Sequence, residues 1–192
     1  KVFKARLLGN RATGAEVEVF LIRQMDENPL QWLAMVRPSR RVKEGETIHF
    51  QRACQTDRQS LTLVENRGSK WVVRFDSMLS QERIIECYGH VPLPQYIKRT
   101  DIPEDVSRYQ TIFARADRVG AVAAPTAGFH FTPEVLRRLK EKGVQVAELT
   151  LHVGPGTFKP VQVEEIERHT VDPEYAILSE ETAATINGVR ES

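Results

Sequence analysis

The sequence is poor in the features that usually announce a specialised class. Its 192 residues contain only two cysteines, Cys54 and Cys87, with no ligand-like spacing. That argues against a disulfide framework and against structural zinc, and it reads as reduced thiols in a cytoplasmic protein. No apolar run approaches membrane-spanning length, and no basic-then-apolar signal opens the chain. A Walker loop, an HExxH metal motif, a GxSxG nucleophile elbow and an acid-rich metal cluster are all missing. Nothing in the chain calls for a metal or a prosthetic group, and neither is expected. There is also no row of aromatics of the kind that stacks single-stranded bases. What remains, 41% hydrophobic and 28% charged residues, describes an ordinary globular chain with room for one large domain or two small ones.

Charge separates the two halves. Residues 1–76 carry 14 Lys and Arg against 9 Asp and Glu, whereas residues 77–192 carry 13 against 17. The first part therefore suits a polyanion better than the second. Its sharpest basic cluster is Arg37-Pro38-Ser39-Arg40-Arg41-Val42-Lys43, a proline-bearing loop from which Arg37, Arg40, Arg41 and Lys43 can project toward phosphates. A solvated basic loop is the plain alternative.

The first half reads as short strands, at Val2–Leu8, Glu16–Ile22, Gln31–Val36, Thr47–Ala53, Ser60–Glu65 and Lys70–Phe75. Polar and apolar residues alternate in Glu16-Val17-Glu18-Val19, as a half-buried strand requires. Turn chemistry separates the runs at Thr13-Gly14, Asn28-Pro29, Glu44-Gly45 and Arg67-Gly68. Six strands at this spacing predict an antiparallel barrel or sandwich, and closure of a barrel would remove exposed edges. Proline punctuates Gly89-His90-Val91-Pro92-Leu93-Pro94, and composition changes there. The expected division is a β-barrel domain over residues 1–88 and part of an α/β domain over residues 89–192.

The second half is organised around Gly120 to Thr132, which reads GAVAAPTAGFHFT and holds eight Gly, Ala or Thr residues. Small residues let a backbone approach a ligand closely, and His130 sits between two phenylalanines. Pro103-Glu104-Asp105 is an earlier helix-start pattern. Val119–Ala123 reads as a buried strand, Thr132-Pro133-Glu134 as a helix start, Gly143 as its end and Val144–Val153 as a second strand. Such a strand–loop–helix–strand unit predicts parallel pairing of the two strands. The loop after the first strand and the Gly154-Pro155-Gly156-Thr157 loop after the second should then face one cleft. A short helix is predicted over Val163–Arg168, and a last one over Glu180–Asn187, capped by Ser179 and ended by Gly188.

Titratable groups near that cleft are Tyr109, His130, His152, Lys159, His169 and Glu174. A histidine against an apolar wall ionises less readily and can accept a proton near neutral pH. Equally, each ring could serve structure by donating to a backbone carbonyl. Thr126, Thr132 and Thr157 place hydroxyls beside backbone amides, as polar ligand groups need. The residues alone support a small-molecule site on an α/β part, joined to a basic β part.

Longer motifs carry a resemblance. Arg108-Tyr109-Gln110-Thr111, the stretch Gly120 to Thr132, Leu149 to Val161 (LTLHVGPGTFKPV) and the Gly89 to Ile97 segment resemble the S-adenosylmethionine:tRNA ribosyltransferase-isomerase family of queuosine biosynthesis. The opening KVFKARLLG fits as well, so the resemblance spans essentially the whole chain. It implies transfer of the ribosyl part of S-adenosylmethionine, a co-substrate here, to 7-aminomethyl-7-deazaguanine in a tRNA anticodon. The sugar is isomerised to give epoxyqueuosine, and adenine and methionine leave. It also implies an α/β barrel-like domain with an inserted six-stranded β-barrel. On this reading His130 or His152 is the base or proton relay, with Tyr109 beside them. Gln110, Thr126, Gly128, Thr132, Gly154, Gly156, Thr157, Lys159 and Glu174 line the donor and substrate pocket. The tRNA is met by Arg37, Arg40, Arg41 and Lys43. His-Thr-Val-Asp-Pro-Glu at 169–174 departs from the His-Lys-Met-His-Ser-Glu of many members, so one family histidine is lacking. Segments before Lys1 and after the last helix are expected in the parent protein, and this piece alone is expected to be inactive. A monomer with no membrane association is expected. The rival readings are an RNA-gripping barrel with a vestigial α/β part, and an α/β enzyme acting on another nucleotide without tRNA.

Overall fold

The computed structural model describes residues 1–50, 58–77, 79–94, 96–158 and 163–191. The chain divides into two compact units, one formed by residues 3–92 and 99–101, the other by residues 1–2, 93–98 and 102–192.

Alternating sequence makes the first unit a closed barrel. Its strands are β1 (Arg6–Asn10), β2 (Glu16–Gln24), β3 (Gln31–Arg37), β4 (Thr47–Phe50), β5 (Gln59–Arg67) and β6 (Lys70–Phe75). They follow one another around the sheet as β2-β3-β6-β5-β4-β1, and β1 returns to pair with β2. Every pairing is antiparallel. Val17, Val19 and Leu21 on β2 point inward with Leu7, Ile48, Leu61, Leu63, Trp71 and Val73, and all are buried. Each such side chain contributes about 1.5–3 kcal/mol relative to exposure. The turn residues anticipated in the sequence are in place: Gly14, Gly45 and Gly68 hold φ of 84°, 77° and 74°, the left-handed region that disfavours a Cβ. Bulges between Leu21 and Arg23 and between Leu63 and Glu65 bend the strands as the ring closes.

Two features of this unit differ from the expectation. The first strand begins at Arg6 rather than Val2, because Val2 is drawn into the other unit. A helix, α1 (Gln81–Tyr88), follows the last barrel strand where only strands were foreseen. Ser80 caps it, its hydroxyl accepting from the Arg83 N–H at 3.3 Å. Ile84, Ile85 and Tyr88 recur on one face and join the barrel core. The two-residue strand β7 (Gly89–His90) then adds antiparallel to β1.

The second unit contains α2 (Asp105–Arg108), α3 (Pro133–Glu141), β8 (Thr150–His152), β9 (Tyr175–Ile177) and α4 (Glu180–Glu191). Thr132 caps α3 and Pro133 opens it, as its sequence requires. Gly143 follows with φ of 74°. The expected parallel strand pair does not form. Val119–Ala123 contributes only an isolated parallel bridge from Ala121 to Val2, and residues 144–149 run exposed without strand pairing. The Val144 N–H donates instead to the Leu139 carbonyl at 3.0 Å and the Glu148 carbonyl accepts from the Thr182 hydroxyl at 2.7 Å, while Val146 and Leu149 stay 57% and 58% exposed. Only Thr150–His152 pairs, antiparallel, with Tyr175–Ile177. Within the predicted 163–168 helix, only Ile166–Arg168 forms a short 3-10 turn. The last helix continues through Gly188 to Glu191 rather than ending there. No helix among the described residues is long and apolar enough to cross a membrane.

Candidate functional site

The stretch from Gly120 to Thr132 is held by backbone bonds on one side and by packing on the other. The Val122 N–H donates to the Val153 carbonyl at 2.9 Å, which brings the stretch against the segment carrying His152. Val122 and Ala123 are buried. Thr126 to His130 form a 3-10 turn, with the Gly128 N–H donating to the Pro125 carbonyl at 2.8 Å. Gly128 is small for a steric reason: a Cβ there would lie 2.8 Å from Cγ2 of Thr111. Thr126 and His130 are exposed. Phe129 and Phe131 are partly exposed, their rings 6.2 Å from Tyr109 and 5.4 Å from Phe113. The Thr132 hydroxyl accepts from the Val135 N–H at 3.3 Å and is thereby committed to capping α3.

Tyr109 is buried, and its hydroxyl accepts from the Ala124 N–H at 3.3 Å. Burial pushes this phenol up from its ordinary value, partly offset by that N–H. The next residue, Gln110, spends its amide on the backbone of Val2, accepting from its N–H and donating to its carbonyl.

The Gly154–Thr157 loop is tied to the segment before β9. The Gly154 N–H donates to Oε1 of Glu174 at 3.0 Å, and the Thr157 hydroxyl donates to the Gly154 carbonyl at 3.3 Å. A Cβ on Gly156 would lie 3.6 Å from Asp172. His152 stacks on Tyr175, with ring centroids 5.8 Å apart. Burial lowers its pKa, and Arg118 pushes the same way. Lys159 lies outside the described residues.

The structure therefore joins the Gly120 stretch, His152, Gly154 and Glu174 through a chain of direct contacts. His130 is on the exposed turn and touches none of them in that chain. His169 is half-buried in the connection before β9. A separate open cavity of about 950 Å³ lies beside Gln110, Phe113, Ala124, Pro125, Leu136 and Leu149. His130, His152 and the Gly154–Thr157 loop do not line it. No group of three or more His, Cys, Asp or Glu able to hold a metal occurs among the described residues. Sequence reasoning missed Gly120 and Tyr175 as partners of His152. Gly120 was in view as a small residue, but nothing in spacing links position 120 or 175 to 152.

The four basic residues lie on the barrel unit. Arg37 ends β3, and Ser39 to Arg41 form a 3-10 turn. The side chains of Arg37, Arg40, Arg41 and Lys43 are exposed. Beneath them Ser39 accepts from Nε1 of the buried Trp71 at 3.0 Å, and Val42 is buried.

A closed antiparallel barrel is followed by a second unit in which a histidine lies between two glycine-bearing segments. The comparison with known families makes this specific: the chain belongs to the queuosine biosynthesis protein family, whose model matches residues 1–192. It is 40% identical over 193 residues to the S-adenosylmethionine:tRNA ribosyltransferase-isomerase of Flavobacterium psychrophilum, covering 100% of this chain and 55% of that protein. It is also 40% identical over 191 residues to the protein of the same name from Citrifermentans bemidjiense, covering 54% of it. The chain thus spans about half the length of the curated relatives it matches. Among solved structures, it is similar to the S-adenosylmethionine tRNA ribosyltransferase of Thermotoga maritima, at 24% identity and a TM-score of 0.36, over 100% of this chain and 45% of that one. That likeness is too loose to transfer geometry.

Proposed function

We propose that this chain is part of an S-adenosylmethionine:tRNA ribosyltransferase-isomerase, acting on tRNA that carries 7-aminomethyl-7-deazaguanine. The observation that carries the reading is the match to the family along residues 1–192, with the two motif-bearing segments adjacent through Val122 and Val153. The sulfonium of S-adenosylmethionine acidifies the adjacent C5′ protons, so a positioned base can begin the reaction by taking one. The ribosyl carbon skeleton passes to the deazaguanine, and adenine and methionine depart.

Within the second unit, His130 is the exposed imidazole available for that proton transfer. Tyr109 keeps a protonated hydroxyl across the neutral range, because burial raises it, and so offers a donor and not a base. Thr126, Gly128, Gly156 and Thr157 supply the small, polar wall of the donor pocket, and Lys159 meets a phosphate. Glu174 holds Gly154 in place through its N–H. Gln110 and Thr132 shape the wall indirectly, since their polar groups are engaged with Val2 and with α3. The tRNA meets the exposed cations of residues 37–43, and the protein works as a monomer in the cytoplasm.

The test is release of adenine from S-adenosylmethionine by the full-length protein in the presence of precursor tRNA. Replacing His130 with Ala should lower that release by about 10²–10⁴-fold while tRNA affinity stays within a few-fold, as loss of a general base predicts. Unchanged adenine release would remove His130 from the chemistry. Release without any need for tRNA would point to another nucleotide substrate.

A further inference from the structure

We infer that His152 serves its ligand as a hydrogen-bond donor through Nε2, in the tautomer that leaves Nδ1 bare, and that Gly120 is the residue that sets this arrangement. Nδ1 of His152 is fully enclosed and has no hydrogen-bond partner. Gly120 lies against this edge of the ring, with no room for a side chain between them. A Cβ built on Gly120 would stand 2.6 Å from Nδ1, 2.8 Å from Cε1 and 3.3 Å from Cγ. The Nδ1 edge of the ring thus faces a position that only glycine can fill, and Tyr175 stacks on the ring with centroids 5.8 Å apart. Nε2 is neither enclosed without a partner nor bonded to any group among the described residues.

The protonation state follows from which atom can afford to be buried alone. An orphaned buried N–H is rarer and costlier than an under-satisfied acceptor. The proton therefore sits on Nε2, where solvent or a ligand can receive it, and the lone pair sits on Nδ1. Burial, with Arg118 nearby, disfavours a second proton. A ring with Nε2 already protonated and Nδ1 sealed cannot take a proton from substrate. It can only donate, as a polarising group toward a carbonyl, ribose hydroxyl or carboxylate oxygen. Gly120 acts here as a positioning residue. The ligand assignment rests on the reading of the nucleoside site given above; the tautomer does not.

Two measurements test this. Long-range nitrogen–proton correlation spectra of the 15N-histidine-labelled full-length protein, without substrate, report which ring nitrogen carries hydrogen. A His152 signal of the Nε2–H form near pH 7.5 is expected, and an Nδ1–H form or a doubly protonated ring would overturn the inference. In the full-length protein, His152→Gln keeps a donor at the distance of Nε2, whereas His152→Leu removes it. Adenine release should fall by roughly tenfold or more in the Leu variant, with much of the loss restored by Gln, in line with one neutral hydrogen bond. Equal loss in both variants would overturn the donor role. If wild-type full-length protein released no adenine at all, the functional reading would fail while the tautomer stood on the spectra alone.

Discussion

The side-chain amide of Gln110 binds the backbone of Val2 as a neighbouring strand would. Its Oε1 accepts from the Val2 N–H at 2.9 Å, and its Nε2 donates to the Val2 carbonyl at 2.9 Å. Val2 itself is buried and bridges to Ala121, so this one side chain secures the first residues of the chain beside the candidate site. Gln110→Leu keeps the bulk and orphans two backbone groups. A loss of about 1–3 kcal/mol in the second unit is expected, read as a lower urea midpoint. A midpoint unchanged within experimental scatter would show that the pairing contributes nothing.

The barrel was legible because its determinants are local. Alternation in β2 and glycine at Gly14, Gly45 and Gly68 each fix a strand or turn within a few residues. The helix α1 was also written locally, in Ser80 as cap and in Ile84, Ile85 and Tyr88 on one face. It was overlooked because eight residues after a run of strands give a short periodic signal. The candidate site was only half legible. The glycines and histidines announced themselves, but what each touches is set by contacts of long sequence separation, such as Gly120 with His152 and Gly154 with Glu174. The parallel strands failed for a related reason. Val144 to Leu149 have strand-forming composition but no paired backbone beside them among the described residues.

His152 should titrate below the ordinary histidine value near 6.5, because burial, and secondarily the charge of Arg118, disfavours its charged form. The sign follows from proton counting. Between the lowered folded value and the unfolded one, the unfolded chain binds more protons, so stability rises with pH. The contribution is complete above about pH 6.5 and is lost as pH falls toward and through the folded value. Proton NMR of the ring, followed from pH 8 to pH 4, reads the midpoint directly. A midpoint at or above that of an unfolded histidine would contradict the burial of this ring.

Gly9 and Gly14 offer a contrast between two reasons for glycine. At Gly9, paired with Val17 and with Phe50, a Cβ would fall 2.7 Å from the His49 carbonyl and 2.8 Å from both Ile48 and Phe50. At Gly14 there is open space, but φ is 84°. Gly9→Ala should therefore cost about 1–3 kcal/mol or more through overpacking of a closed ring. Gly14→Ala should cost only the left-handed strain, about 1–2 kcal/mol. Thermal denaturation of the two variants ranks them, and Gly14→Ala proving the more damaging would be the wrong order.

The proposed tRNA contact of the barrel distinguishes between its paired and unpaired cations. Several basic side chains there are already paired: Arg6 with Glu18 at 2.7 Å, Lys4 with Glu86 at 2.6 Å and Arg67 with Glu65 at 2.9 Å. Arg37, Arg40, Arg41 and Lys43 have no carboxylate partner among the described residues. Their backbone is nonetheless fixed, by Ser39 on Trp71 and by the Lys43 N–H on Glu46 at 3.0 Å. Unpaired charge on a fixed platform can displace counterions from phosphates without first breaking an ion pair or ordering a loop. Replacing both Arg40 and Arg41 with Ala should thus reduce the slope of log affinity for tRNA against log salt by about 1.4–1.8. The double replacement of Lys4 and Arg67, equal in charge removed but drawn from existing pairs, should leave that slope nearly unchanged. Filter binding or fluorescence anisotropy over 50–200 mM salt, with full-length protein and precursor tRNA, makes the comparison. Equal effects from the two double variants would mean that tRNA feels the net charge of the barrel and not this turn. An effect from Lys4 and Arg67 alone would move the RNA-binding surface to another side of it.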